Sequence, residues 1–187
     1  MVTTTTRKIT ESAILAALGF VLSLIRIKFL PWGGAITCLS MLPILLIGYR
    51  HGLGWGLGAG LVTGLLQSLQ DGALAPPSSG LLTYAGMMAL DYIVAFGVLG
   101  LSGLFRKRRN GLFYASIVCI LLRYACHTAS GVILWGSYAW DGWSVFPYSL
   151  VYNGSYMLPE LLLTAVAAWF LSRYLPRLGN TEQTNQK

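Results

Sequence analysis

The chain has 187 residues, of which 55% are hydrophobic and only 10% charged, and its mean hydropathy is +0.63. Soluble domains have roughly 25% charged residues, so the composition excludes an ordinary water-soluble fold and points to a single membrane domain covering 1–187. A net charge of +7 does not imply a nucleic-acid partner, because the basic residues stand at the ends of apolar runs and form no exposed stripe.

The chain opens with MVTTTTRKIT, which is too polar and too directly joined to the first apolar run to be a cleaved signal peptide. Six apolar runs follow, near 9–27, 35–49, 52–70, 80–104, 110–135 and 148–174. The second is short of the 20 or so residues of a full crossing, which predicts a tilted or shielded helix. Loops and open sheets leave unsatisfied backbone in lipid, and these runs are too uniformly apolar for barrel strands. The predicted fold is therefore an all-α bundle of six transmembrane helices in a cell membrane, with a disordered tail over about 179–187. The tail reads GNTEQTNQK.

In the first run, TESAILAALGF sets Ala13 and Ala17 on one helix face, a pattern that lets another helix approach closely. Spacing alone favours packing within the bundle for this pair. In the third run, Gly56, Gly60 and Gly64 recur every four residues, again a packing pattern, and no dinucleotide fingerprint is in register. No P-loop occurs anywhere, so any ATP-driven step must come from a partner. Cys38, Cys119 and Cys126 lack the spacing of a zinc site or redox pair and read as small buried thiols. No metal, disulfide or cofactor is expected.

Orientation follows from the basic residues of the short connections. With a cytoplasmic N-terminus, Arg7, Lys8, Arg50, the run Arg106 to Arg109, Arg173, Arg177 and Lys187 lie inside, and only Arg26 and Lys28 lie outside. Both termini are therefore expected in the cytoplasm. The connections near 28–34, 71–79 and 136–147 then face outward.

Charges inside apolar runs are costly, face the bundle interior and mark functional sites. Asp91, Arg123 and Glu160 are such charges. Arg123, His127, Gly131 and Trp135 stand four apart, so a continuous helix carries them within about one third of its circumference. An ion pair of Arg123 with Asp91 or with Glu160 remains open on the sequence. Trp135, Tyr138, Trp140, Trp143, Phe146, Tyr148, Tyr152 and Tyr156 crowd the outer end of the same region. An interfacial belt accounts for most of them. The belt is one-sided, however, and aromatic faces beside a carboxylate suit a flat organic cation.

The segments ESAILAA, ALDYIVAFGVLGLSGLFRK, LLRYACHTASGVILWGSYAWDGW and YSLVYNGSYMLPE together resemble the thiamine-specific substrate-binding subunits of energy-coupling-factor (ECF) vitamin transporters over nearly the whole chain. The resemblance implies a subunit that captures thiamine outside the cell and joins an energising module of two ATPase subunits and a coupling transmembrane protein. It places ligand contacts on Trp32, Asp91 and Tyr92, on Arg123, His127, Gly131 and Trp135, and on Tyr148 and Asn153. It also assigns Ala13 and Ala17 to docking on the coupling protein, against the preference from spacing. Some relatives carry glutamate and lysine where this chain has Asp91 and Arg123, and the connection DGALAPPSSGLLTY is longer here, which leaves Tyr84 undecided as a contact. A carrier for another vitamin or for the pyrimidine portion alone is the alternative. An intramembrane hydrolase built on His127 with Ser130 or Asp91 is disfavoured, because His127 and Ser130 share one helix and no GxSxG or zinc-protease pattern accompanies them.

Overall fold

The computed structural model describes residues 4–28, 30, 34–72 and 80–174. Six helices account for most of them: α1 (Thr4–Leu24), α2 (Met41–His51), α3 (Leu53–Gln70), α4 (Leu81–Phe105), α5 (Gly111–Ile133) and α6 (Val145–Tyr174). Among the described residues, α4, α5 and α6 are long and apolar enough to cross a membrane. The expected tail and Trp32 lie outside the described residues.

One prediction is corrected. Residues 35–37 were expected inside the second helix, but they form β2 (Ala35–Thr37), antiparallel to β1 (Arg26–Lys28), with Ile27 opposite Ile36. Ile36 and Thr37 are β-branched, which favours extended backbone. The Thr37 backbone N–H also donates to the Glu160 carboxylate on α6, so this segment has a partner that a helix would not give it. The second helix is therefore only 11 residues long and starts at Met41.

The short helix α2 contributes to a core shared with α4, α5 and α6. Ile44, Leu45 and Ile47 are at most 1% exposed, and Leu112, Cys119 and Ile120 of α5 are equally buried. Cys119 is thus the buried thiol the sequence implies. Cys126 is half-buried and Cys38 is exposed just after β2, which corrects the expectation for that residue. Gly52 alone joins α2 to α3, at φ 98°, a conformation that side-chain-bearing residues rarely adopt.

The predicted glycine stripe packs α3 onto α4. A Cβ at Gly56 would stand 2.5 Å from the Gly100 carbonyl oxygen, and one at Gly64 2.5 Å from that of Tyr92. At Gly60 it would strike the Phe96 carbonyl oxygen. α4 is itself irregular: Met88–Val94 is π-helical and Val98–Phe105 is 3-10, with α-helical turns before and between them. π-Helical turns are rare and frequent at functional sites. The one in α4 contains Asp91.

Candidate functional site

A cavity opens between α4, α5, α6 and the β1–β2 ribbon, with Asp91 on its wall. Asp91 accepts three hydrogen bonds from the α5 side. Ser130 Oγ donates to Oδ2 at 2.6 Å, Trp135 Nε1 approaches Oδ2 at 3.4 Å, and His127 Nδ1 lies 3.0 Å from Oδ1. The expected helical stripe holds for Arg123, His127 and Gly131 only, because α5 ends at Ile133. Trp135 lies beyond that end and still reaches the carboxylate.

Arg123 does not pair directly with Asp91. Its Nε donates to His127 Nε2 at 3.3 Å, and its guanidinium lies over the Phe96 ring, 3.9 Å from the centroid. Arginine is only a donor, so His127 Nε2 is the acceptor and its proton resides on Nδ1, facing Asp91. His127 is therefore neutral here, and it relays orientation from Arg123 to Asp91 without supplying charge. Glu160 is buried and accepts both the backbone N–H and the hydroxyl of Thr37.

An ion pair on the cavity wall joins Arg26 of β1 to Asp71, at 2.7 Å, with Gln67 Nε2 also 3.2 Å from Asp71. Charge can then be assigned group by group. Arg26 pairs with Asp71, Arg123 contacts His127 and Phe96, and the donors around Asp91 are all neutral. Asp91 has no guanidinium partner, and the described lining residues hold three carboxylates against two guanidinium groups.

The remaining wall is aromatic. Tyr148, Tyr152 and Tyr156 stand four apart on α6, with successive ring centroids 5.6 and 6.3 Å apart, and His127 meets Tyr156 edge-on at 6.4 Å. The predicted aromatic belt therefore divides. Trp135, Tyr138 and the three tyrosines line the cavity, whereas Trp140, Trp143 and Phe146 are exposed. Asn153 is fully engaged on its donor side, with Nδ2 donating to the His127 carbonyl at 3.3 Å and the Ser149 carbonyl at 2.9 Å. Its Oδ1 accepts Tyr156 OH at 2.7 Å, which leaves one acceptor position for a ligand. Gly131 is where α5 meets α6: a Cβ there would collide with Ser149 Oγ.

Eight of the nine predicted ligand contacts thus fall on the cavity wall, and Trp32 lies outside the described residues. Tyr84, left undecided, is 38% exposed and does not line it. Sequence reasoning missed Arg26, Gln67, Asp71 and Phe96. The one available signal was Asp71 itself, an acid with Gln67 one turn before it at a predicted outer helix end.

Residues 9–180 match the thiamine transporter protein family (Thia_YuaJ). The chain belongs to this family. Within it, the chain is similar to the thiamine transporter ThiT of Bacillus subtilis (strain 168), 38% identical with 94% of this chain and 95% of the relative covered. It is also similar to ThiT of Lacticaseibacillus paracasei (strain ATCC 334), 29% identical with 91% and 89% covered. Among solved structures, ThiT from Listeria monocytogenes superposes with a TM-score of 0.76 at 29% identity, covering 92% of this chain and 96% of that one. A structure titled as the S component of a bacterial ECF transporter matches with a TM-score of 0.55 at 17% identity, a likeness of fold. The family is one of transporters, and this member is not an enzyme.

Proposed function

We propose that this chain is the substrate-binding subunit that captures thiamine outside the cell for ATP-driven uptake by an ECF transporter complex. The observation that carries the reading is the pairing of a carboxylate that has no guanidinium partner, Asp91, with aromatic walls. Thiamine has a fixed cationic thiazolium ring, whose charge suits the Asp91 carboxylate and whose flat faces suit Trp135 and the α6 tyrosines. Its aminopyrimidine offers donors and acceptors that Asp91, Tyr148 and the free acceptor position of Asn153 complement. Arg123 and His127 hold Asp91 in place, Gly131 admits α6, and Tyr92 and Trp32 complete the assigned contacts.

The topology goes with this reading: six transmembrane helices, both termini cytoplasmic, and the cavity open to the outside. The chain has no P-loop, so the energy must come from the two ATPases and coupling transmembrane protein of an energising module. Ala13 and Ala17 are exposed on α1, where internal packing would bury them, and they are the proposed docking face for the coupling protein.

Isothermal calorimetry on the purified subunit tests the ligand assignment. Thiamine is expected to bind and the free aminopyrimidine to bind far more weakly, because only thiamine carries the cation; equal affinity for the two makes this a pyrimidine carrier. Labelling of single cysteines tests the topology: Asp141→Cys should react from outside and Lys107→Cys only after permeabilisation, and the reverse pattern inverts the orientation.

A further inference from the structure

The docking reading leaves a question about α1 itself, namely what fixes its rotation. Gly19 and Ser23 are its only buried residues, and both lie in its second half. Ser23 Oγ donates to Gln70 Oε1 at 2.9 Å, and Gly19 lies close enough to α2 that a Cβ would stand 3.1 Å from the Ser40 carbonyl oxygen. No side chain before Gly19 in this helix is buried. That first half carries Ala13 and Ala17, together with the exposed Ile14 and Leu18. On its inward side Ser12, Leu15 and Ala16 are only half-buried, so apolar contact holds this half less firmly than a buried stripe would.

Glu11 adds a charged contact to that side. It is the one acidic residue of α1, and its Oε2 lies 3.2 Å from Arg50 Nη2 and 3.2 Å from His51 Nε2, both at the end of α2. The His51 side chain is 1% exposed and that of Arg50 20%, so both belong to the body of the molecule. The other oxygen of Glu11 accepts Arg7 Nε at 3.1 Å, one turn earlier on α1. At about 100° per residue, Ala13 and Ala17 lie roughly 200° and 240° around the helix from Glu11, on the far side. A clamp that pulls Glu11 onto α2 thus turns the alanine face away from the body.

We infer that Glu11 is a positioning residue for partner docking: its contact with Arg50 and His51 sets the rotation of α1 that presents Ala13 and Ala17. The inference rests on the docking reading above. Ser23 with Gln70 pins the helix about 18 Å further along, twelve residues at 1.5 Å each. Glu11 supplies the charged contact of the first half beside the half-buried Ser12, Leu15 and Ala16, so loss of that contact loosens the docking face and leaves the cavity, built on α4, α5 and α6, unchanged.

The experiment uses the full-length subunit, alone and reconstituted in liposomes with its energising module, in three variants. Glu11→Gln should bind thiamine within about twofold of the unchanged protein while ATP-driven uptake falls by about fivefold, the scale of a partly exposed ion pair. Exchange of the charges, Glu11→Arg with Arg50→Glu, should restore most of the uptake that Glu11→Gln loses, which a purely steric role would not produce. Ala13→Trp with Ala17→Trp serves as the independent arm and should abolish uptake with thiamine binding intact. Unchanged uptake in that double variant overturns the docking reading and this inference with it. Blocked uptake there, combined with unchanged uptake in Glu11→Gln, overturns the role of Glu11 alone. Loss of thiamine binding in Glu11→Gln, or no recovery in the exchanged pair, likewise overturns it.

Discussion

The two faces of α4 meet their neighbours in opposite ways. Toward α3 the contact is backbone on backbone, with Gly56, Gly60 and Gly64 pressed against the Gly100, Phe96 and Tyr92 carbonyls. Toward α5 the contact is side chain on side chain, with Asp91 held by His127, Ser130 and Trp135. The first face has no slack, since a carbonyl in a helix cannot rotate away from an added methyl group. The second consists of groups that can be exchanged singly with their surroundings intact. A single helix thus separates the requirements of folding from those of recognition, and substitutions on its two sides should fail differently.

The largest effect is expected on the glycine side. Gly60→Val places a branched side chain on the Phe96 carbonyl; overpacking typically costs about 1–3 kcal/mol, and a rigid backbone on both sides puts this site at or above the upper end. The thermal unfolding midpoint of the detergent-purified protein should fall, with thiamine binding lost in step. An unchanged midpoint would erase the distinction between the faces. Asp91→Ala should do the reverse, lowering affinity for thiamine by about 5- to 150-fold, equivalent to roughly 1–3 kcal/mol, while moving the midpoint little. Asp91→Asn sharpens the point: if the carboxylate charge is what binds, the amide is nearly as weak as alanine by calorimetry. Trp135→Ala should weaken binding clearly more than Trp169→Ala, since Trp169 is 42% exposed on α6 and away from the cavity; equal affinities for the two would misplace the aromatic wall. The smallest change is Tyr156→Phe, which removes the hydrogen bond to Asn153 Oδ1 and should lower affinity about fivefold, for roughly 1 kcal/mol.

The features most legible in the sequence were those with a period. The glycine stripe and five of the six helices follow from hydrophobic runs whose ends the structure shifts by a few residues, as 110–135 against Gly111–Ile133 illustrates. Asp91, His127 and Asn153 were legible because polar groups in apolar helices stand out. What escaped depends on contacts between distant residues. The β1–β2 ribbon has three residues per strand, too few to show an alternation, and Thr37 finds Glu160 across 123 positions. The pairing of Arg26 with Asp71 spans 45 positions, and only Gln67, one turn before Asp71, hints at it locally. The partner of Arg123 stayed open for a related reason: a charge at the right depth looks like a partner for Asp91 or Glu160, but the neighbour at helical spacing, His127, intervenes.

The irregular winding of α4 also governs where insertions can be tolerated. A π-helical stretch turns less per residue than an α-helix, and a 3-10 stretch turns more. Met88–Val94 therefore falls behind in phase and Val98–Phe105 makes up the lag, like a screw whose thread widens and then narrows. The contacts with α3 keep step throughout, at Tyr92, Phe96 and Gly100, four apart, against Gly64, Gly60 and Gly56, four apart. Asp91 is re-aimed inside the widened thread while the line of contact stays straight. Deleting a single residue between 88 and 94 would restore ordinary winding there and leave everything downstream close to its original phase, so the carbonyls would stay near the glycines while Asp91 lost its aim. In this stretch the number of residues is therefore constrained as tightly as their identity.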